Sequence, residues 1–107
     1  MTMQIAINDA GSTATITMVG RLDISGAETV ALPLATLSGS KNGLYVDMAG
    51  VTFVASIGLR HLVSAAKAVG RRGGKLVVLN PNAAVAEVIT TSGLTDLLPI
   101  QRGAAPS

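Results

Sequence analysis

Hydrophobic and polar positions alternate cleanly between Thr13 and Val19. Ala14, Ile16 and Met18 fall on one side, and Thr13, Thr15 and Thr17 on the other. That is the period of a half-buried strand, and the β-branched residues suit it. Met3, Ile5 and Ile7 mark a shorter strand before it, and Asn8-Asp9-Ala10-Gly11-Ser12 has the composition of a turn. The two strands are expected to pair as an antiparallel hairpin. The period then changes. Ser25-Gly26-Ala27-Glu28 matches a capping box, and Val30, Leu34 and Leu37 form an apolar stripe, so a helix is predicted from about Gly26 to Leu37. Pro33 conflicts with that helix, because it removes a hydrogen bond and crowds the preceding turn. A kink or two short helical pieces are expected there.

Leu44, Tyr45, Val46 and Met48 predict a central strand that Ala49-Gly50 breaks. The strongest helical pattern follows. Leu59, Leu62, Val63, Ala66 and Val69 lie on one side, and Arg60, Ser64, Lys67 and Arg71 on the other. This predicts an amphipathic helix lying on a sheet, with Ser56 at its N-cap and Gly70 and Gly73-Gly74 ending it. Lys75 to Leu79 is a second buried strand. Asn82 caps a third helix from about Ala83 to Thr91, and Ser92-Gly93 closes it. Leu94, Leu97, Leu98 and Ile100 suggest a helical turn and an edge strand. The order β-β-α-β-α-β-α-(β) implies right-handed parallel crossovers. The fold class is α/β, a mixed sheet of four to five strands with helices mainly on one face. Residues 1–101 form one domain, and 102–107 a loose polar tail.

Composition narrows the chemistry. The 107 residues are 49% hydrophobic and 13% charged, so one packed domain is expected. Tyr45 and Phe53 are the only aromatics, which leaves little for base stacking. Eight basic and six acidic residues are scattered apart from Arg71-Arg72, so no phosphate-tracking stripe forms and no direct nucleic-acid contact is expected. The absence of cysteine removes thiol chemistry and disulfides and fits a cytoplasmic location. The N-terminus has no secretory pattern. Apolar runs fall far short of the ~20 residues that a membrane span needs, so no membrane insertion is expected.

Catalytic hardware is sparse. His61 is the only histidine, and it lies inside the second helix, five residues after Ser56, a poor geometry for activating a nucleophile. One histidine and six dispersed carboxylates do not assemble a metal cluster. No phosphate-binding glycine loop occurs; Gly70-Arg71-Arg72-Gly73-Gly74 closes a helix rather than opening one. The residues therefore describe a module that is bound or acted on, with no enzyme activity, metal or cofactor expected. Within it, Ser56 admits two roles. It can cap its helix, or it can carry a phosphate where free N–H groups and the macrodipole favour negative charge.

The stretch Asp47-Met48-Ala49-Gly50-Val51-Thr52-Phe53-Val54-Ala55-Ser56-Ile57-Gly58-Leu59 resembles the anti-sigma factor antagonists of bacteria, the single-domain STAS proteins. The resemblance includes Gly20-Arg21-Leu22-Asp23 before the first helix, Arg72 to Pro81, and Ser92 to Ile100. It covers the chain from about Met3 to Ile100. It implies a STAS fold and a phosphorylation switch, with Ser56 at the phosphorylated position. The implied partners are an anti-sigma factor serine kinase, which the unphosphorylated form binds so that a sigma factor is released, and a Ser/Thr phosphatase that resets the switch. The implied docking surface contains Asp23, Ser25, Ser56, Gly58 and Arg60. The sequence departs from the family pattern twice: Ala55 stands where the family has Asp, and Ile57 where it has a second Ser or Thr. Two other roles for such a domain are a constitutive, non-switching binder and an accessory subunit of an ATP-driven lipid transporter.

Overall fold

The strands of the sheet lie in chain order. The computed structural model describes residues 3–105. β1 (Gln4–Ala10) and β2 (Thr13–Leu22) form the expected antiparallel hairpin around Gly11, whose φ of 84° is the left-handed geometry that glycine accepts. β3 (Gly43–Val54), β4 (Lys75–Leu79) and β5 (Ile100–Gln101) then add in parallel, giving the order β1-β2-β3-β4-β5. Three helices connect them: α1 (Ile24–Ser40), α2 (Ser56–Arg71) and α3 (Ala83–Thr91). The sheet is mixed and five-stranded.

One apolar layer joins the helices to the sheet. Ile16 and Met18 of β2, Leu44, Val46 and Met48 of β3, and Leu76 and Val78 of β4 are buried in the same cluster as Val30 and Leu34 of α1, Leu62 and Val69 of α2, and Val85 and Ile89 of α3. The alternate positions Thr15, Thr17, Tyr45, Asp47 and Val77 stay half-buried on the other face. The period-two pattern thus sorts the strand residues as expected, with the helices on one face.

Three local expectations are corrected. α1 is one continuous helix with Pro33 inside it, not two pieces. Val30 lies one turn before Pro33, and Leu34 and Leu37 lie after it; all three are buried. Burying such side chains contributes ~1.5–3 kcal/mol each, which together outweighs the ~3 kcal/mol cost of the proline. α1 also starts earlier than the capping box suggests. Asp23 is its N-cap, and the Asp23 carboxylate accepts from Gly26 N–H at 2.9 Å. Ser25 lies within the first turn, where its carbonyl accepts from Thr29 Oγ1. The ionised carboxylate is the stronger acceptor and takes the capping position.

The third correction concerns β3, which runs on through Ala49-Gly50 to Val54. Its register against β2 shifts between Thr17 and Val19 and again between Gly20 and Arg21. These irregularities break the alternation, so Met48 and Val51 are both buried although three positions apart. Arg71-Arg72 is more than a loose turn, because Arg72 donates from Nη1 to Ser38 O at 2.7 Å and from Nη2 to Lys41 O. A cation thereby satisfies carbonyls at the C-terminal end of α1. The expected tail is tied at its start: Asn80 and Gly103 exchange two hydrogen bonds of 2.8 Å, and Arg102 donates to Pro81 O. Residues 106–107 lie outside the described part.

Candidate functional site

The carboxyl ends of β2 and β3 are held side by side. Ala55 N–H donates to Leu22 O at 2.9 Å, so Asp23, which follows β2, and Ala55-Ser56, which follow β3, leave the sheet from adjoining points. Gly58 makes this approach possible. A Cβ there would lie 2.5 Å from Leu22 Cγ and 2.9 Å from Leu22 O, so the first turn of α2 sits directly on the end of β2 only because position 58 has no side chain. Gly58 is buried, and it positions its neighbours on the surface.

α2 begins at Ser56, one residue earlier than an N-cap serine would place it. The N-cap is Ala55, in extended conformation and with no side-chain hydrogen bond to the helix. Ser56 is therefore the first helical residue and not the cap. It is exposed. Arg60, also exposed, follows four residues on, the spacing that places two side chains on the same helix face.

An open cleft of about 550 Å³ lies beside this end of α2, lined by Asp23, Ile24, Ser25, Glu28, Phe53 and Ala55. Its rim is both apolar and charged. Ile24 is 71% exposed and Phe53 40%, high for side chains of their size. Arg21 is the register partner of Phe53 on the neighbouring strand, and its guanidinium carbon lies 4.4 Å from the ring centroid, a cation–π contact. Arg21 Nε also lies 3.6 Å from Asp23 Oδ2. The hydrogen bond from Gly26 N–H holds the Asp23 carboxyl below its ordinary value; it outweighs desolvation, which acts upward, and Arg21 adds a lesser downward pull. Asp23 is ionised at neutral pH and half-committed to its helix.

Of the sequence-predicted residues, Asp23 and Ser25 line the cleft, while Ser56 and Arg60 lie on the first turns of the adjoining helix. Gly58 packs beneath them. Arg21, Ile24, Glu28 and Phe53 join the cleft and its rim although none of them is expected as a site residue. The available signal was Phe53 itself, one of two aromatics and placed just past a strand's apolar run. His61 lines a separate groove of about 240 Å³ between α1 and α2, together with Ala31, Leu34, Ser38, Ser64 and Ala68. Among the described residues no group of three or more His, Cys, Asp or Glu side chains could hold a metal ion, and no helix is long and apolar enough to cross a membrane.

A family model for the STAS domain matches residues 4–104. Among solved structures, the anti-sigma factor antagonist SpoIIAA in its unphosphorylated form is 19% identical, with a TM-score of 0.81 over 94% of this chain and 89% of that one. The Bacillus cell fate determinant SpoIIAA in the phosphorylated form is 18% identical, with a TM-score of 0.77 over 94% and 92%. An anti-sigma factor antagonist from Mycobacterium paratuberculosis is 22% identical, with a TM-score of 0.80 over 92% and 85%. No curated protein sequence matches the chain.

Proposed function

The chain belongs to the STAS domain family, and on that premise we propose that it is an anti-sigma factor antagonist: a protein-binding module, switched by phosphorylation at Ser56, that sequesters an anti-sigma factor serine kinase and so frees a sigma factor. The observation that carries this reading is the setting of Ser56. Its side chain is exposed on the first residue of α2, beside a cleft with exposed apolar and charged residues. A kinase can reach such a hydroxyl without unfolding anything. That a protein of the same fold is described in phosphorylated and unphosphorylated forms is consistent with it.

The physics of the switch is local. A phosphate adds about −1.5 to −2 charges near neutral pH. At the start of a helix this charge is tolerated by the fold, because free N–H groups and the macrodipole favour it. Asp23 and Glu28 already line the adjacent cleft. A phosphate on Ser56 would increase negative charge there, repel a partner that fits the unmodified surface, and favour release. Arg60 is the cation on the same helix face best spaced to answer it. A Ser/Thr phosphatase would restore the binding form.

Ser56→Asp tests the reading directly. The variant is expected to keep the wild-type circular dichroism spectrum and to bind the cognate kinase at least about tenfold more weakly, a difference of ~1.4 kcal/mol. Equal binding by the two proteins would refute the switch. Mass spectrometry after incubation with kinase and ATP should place the phosphate on Ser56; a phosphate elsewhere would reject it as the acceptor. Binding that incubation with kinase and ATP leaves unchanged, with no phosphate incorporated, would describe a constitutive binder. Genes of an ATP-driven transporter as the chromosomal neighbours would favour an accessory subunit instead.

A further inference from the structure

The two edges of the sheet differ. β5 has two residues, whereas β1 has seven and, among the described residues, pairs with β2 alone. An open edge presents unpaired backbone N–H and C=O groups, and proteins usually blunt it with proline, lysine, a bulge or a covering element. β1 contains no proline and no basic residue. Its one charge, Asp9, is near the far end and is bonded to Lys41 Nζ at 2.6 Å. The preceding residues, Gln4-Ile5-Ala6-Ile7-Asn8, carry no charge at all.

We propose that β1 is a self-association edge, which pairs antiparallel with β1 of a second copy of this chain about a two-fold axis through Ala6. The argument is the chemical palindrome of the strand. With Ala6 opposite Ala6, Ile5 faces Ile7 of the other copy and Gln4 faces its Asn8, so apolar meets apolar and amide meets amide. A slip of one residue sets Ile5 against Asn8 and Ala6 against Ile7 and loses both matches. A two-fold axis through Ile7 would instead set Ile5 against Asp9.

The faces agree as well. Ile5 and Ile7 pair with Met18 and Ile16 of β2, on the face that carries the helices. Ile7 is 49% exposed at the rim of that layer, and the pairing would place Ile5 of the other copy beside it. Gln4 and Asn8 pair with Val19 and Thr15 on the opposite face, where cross-strand amide hydrogen bonds can form in water. The contact is isologous, so it closes at two copies. It is confined to one strand, which puts it among weak, concentration-dependent interfaces.

Two variants of the whole chain test this. Ile7→Lys adds a charge at an exposed edge position. Sedimentation velocity should show the wild type moving from the mass of one chain toward that of two as concentration rises. Ile7→Lys should remain at one chain while keeping the wild-type circular dichroism spectrum. Ala6→Cys places one thiol on the proposed axis of a protein that has no other cysteine, facing its counterpart at the Cβ spacing of ~4.5–5.5 Å that directly opposed residues have. On mild oxidation it should form a disulfide-linked dimer well before Leu32→Cys, a control at an exposed position on α1. Three results overturn the proposal: a wild type that stays at one chain at millimolar concentration, an Ile7→Lys protein that associates like wild type, or equal cross-linking rates at positions 6 and 32. If Ile7→Lys fails to fold, the cross-linking comparison decides.

Discussion

Ala55 fills the N-cap position of α2 with a methyl group. The free N–H groups of that first turn therefore receive no side-chain acceptor from the cap. Aspartate is among the best caps, so Ala55→Asp is expected to raise unfolding stability by about 1 kcal/mol, read as a higher urea midpoint with an unchanged slope. The same change would put a carboxylate directly beside Ser56. Asp23 shows what a cap does where one is present. Its folded carboxyl is held below the ordinary value of 3.8, chiefly by Gly26 N–H, so on acidification the unfolded chain takes up the proton first. The stability it contributes is complete above 3.8 and is lost as pH falls through the lower folded value. Asp9, held low mainly by Lys41, follows the same sign in the same acid range. Asp23→Asn keeps a capping acceptor but no longer titrates. Its stability should therefore fall less steeply than the wild type's across that range, measured by urea unfolding at a series of pH values; an identical slope would remove Asp23 from the account.

α1 keeps its course through Pro33 because its two halves are held down on the same apolar layer. Pro33→Ala restores an N–H able to bond Thr29 C=O. It should stabilise the protein by about 2 kcal/mol, the interior proline cost less the freedom that alanine returns to the unfolded chain. An unchanged or lower thermal midpoint would show that the helix has already relaxed around the ring. The elements that were legible in sequence are those whose signals are local. Asn82 caps α3 as expected, accepting from Val85 N–H at 2.8 Å, and β4 and α3 have the expected bounds. Ser25 and Glu28 also form a proper local signal, but Asp23 outcompeted it from two residues upstream. Gly50 looked like a strand end, yet pairing with Val19 carries β3 onward. That pairing is between distant residues, and no window of sequence contains it. The candidate site divides the same way. Asp23 and Ser56 were visible through motif resemblance, whereas the exposure of Ile24 and the stacking of Arg21 on Phe53 exist only once β2 and β3 are side by side.

In the whole molecule, the candidate site and the self-association edge draw on different properties of one sheet. The site uses the carboxyl ends of neighbouring parallel strands, where α/β sheets commonly place ligands. The edge uses a strand that, among the described residues, has β2 as its one sheet neighbour. Both depend on a topology in which every strand neighbours the one made before it. This has a consequence for the chain as it leaves a ribosome. No strand must be held open for a later one to insert between it and its partner. The hairpin can form first, α1 and β3 can dock on it, and each further β-α unit can add to the outer edge in the order of synthesis. The nascent sheet grows from one side only. Throughout that growth, β1 remains the opposite, finished edge, available to a neighbouring chain before the last strand has been translated.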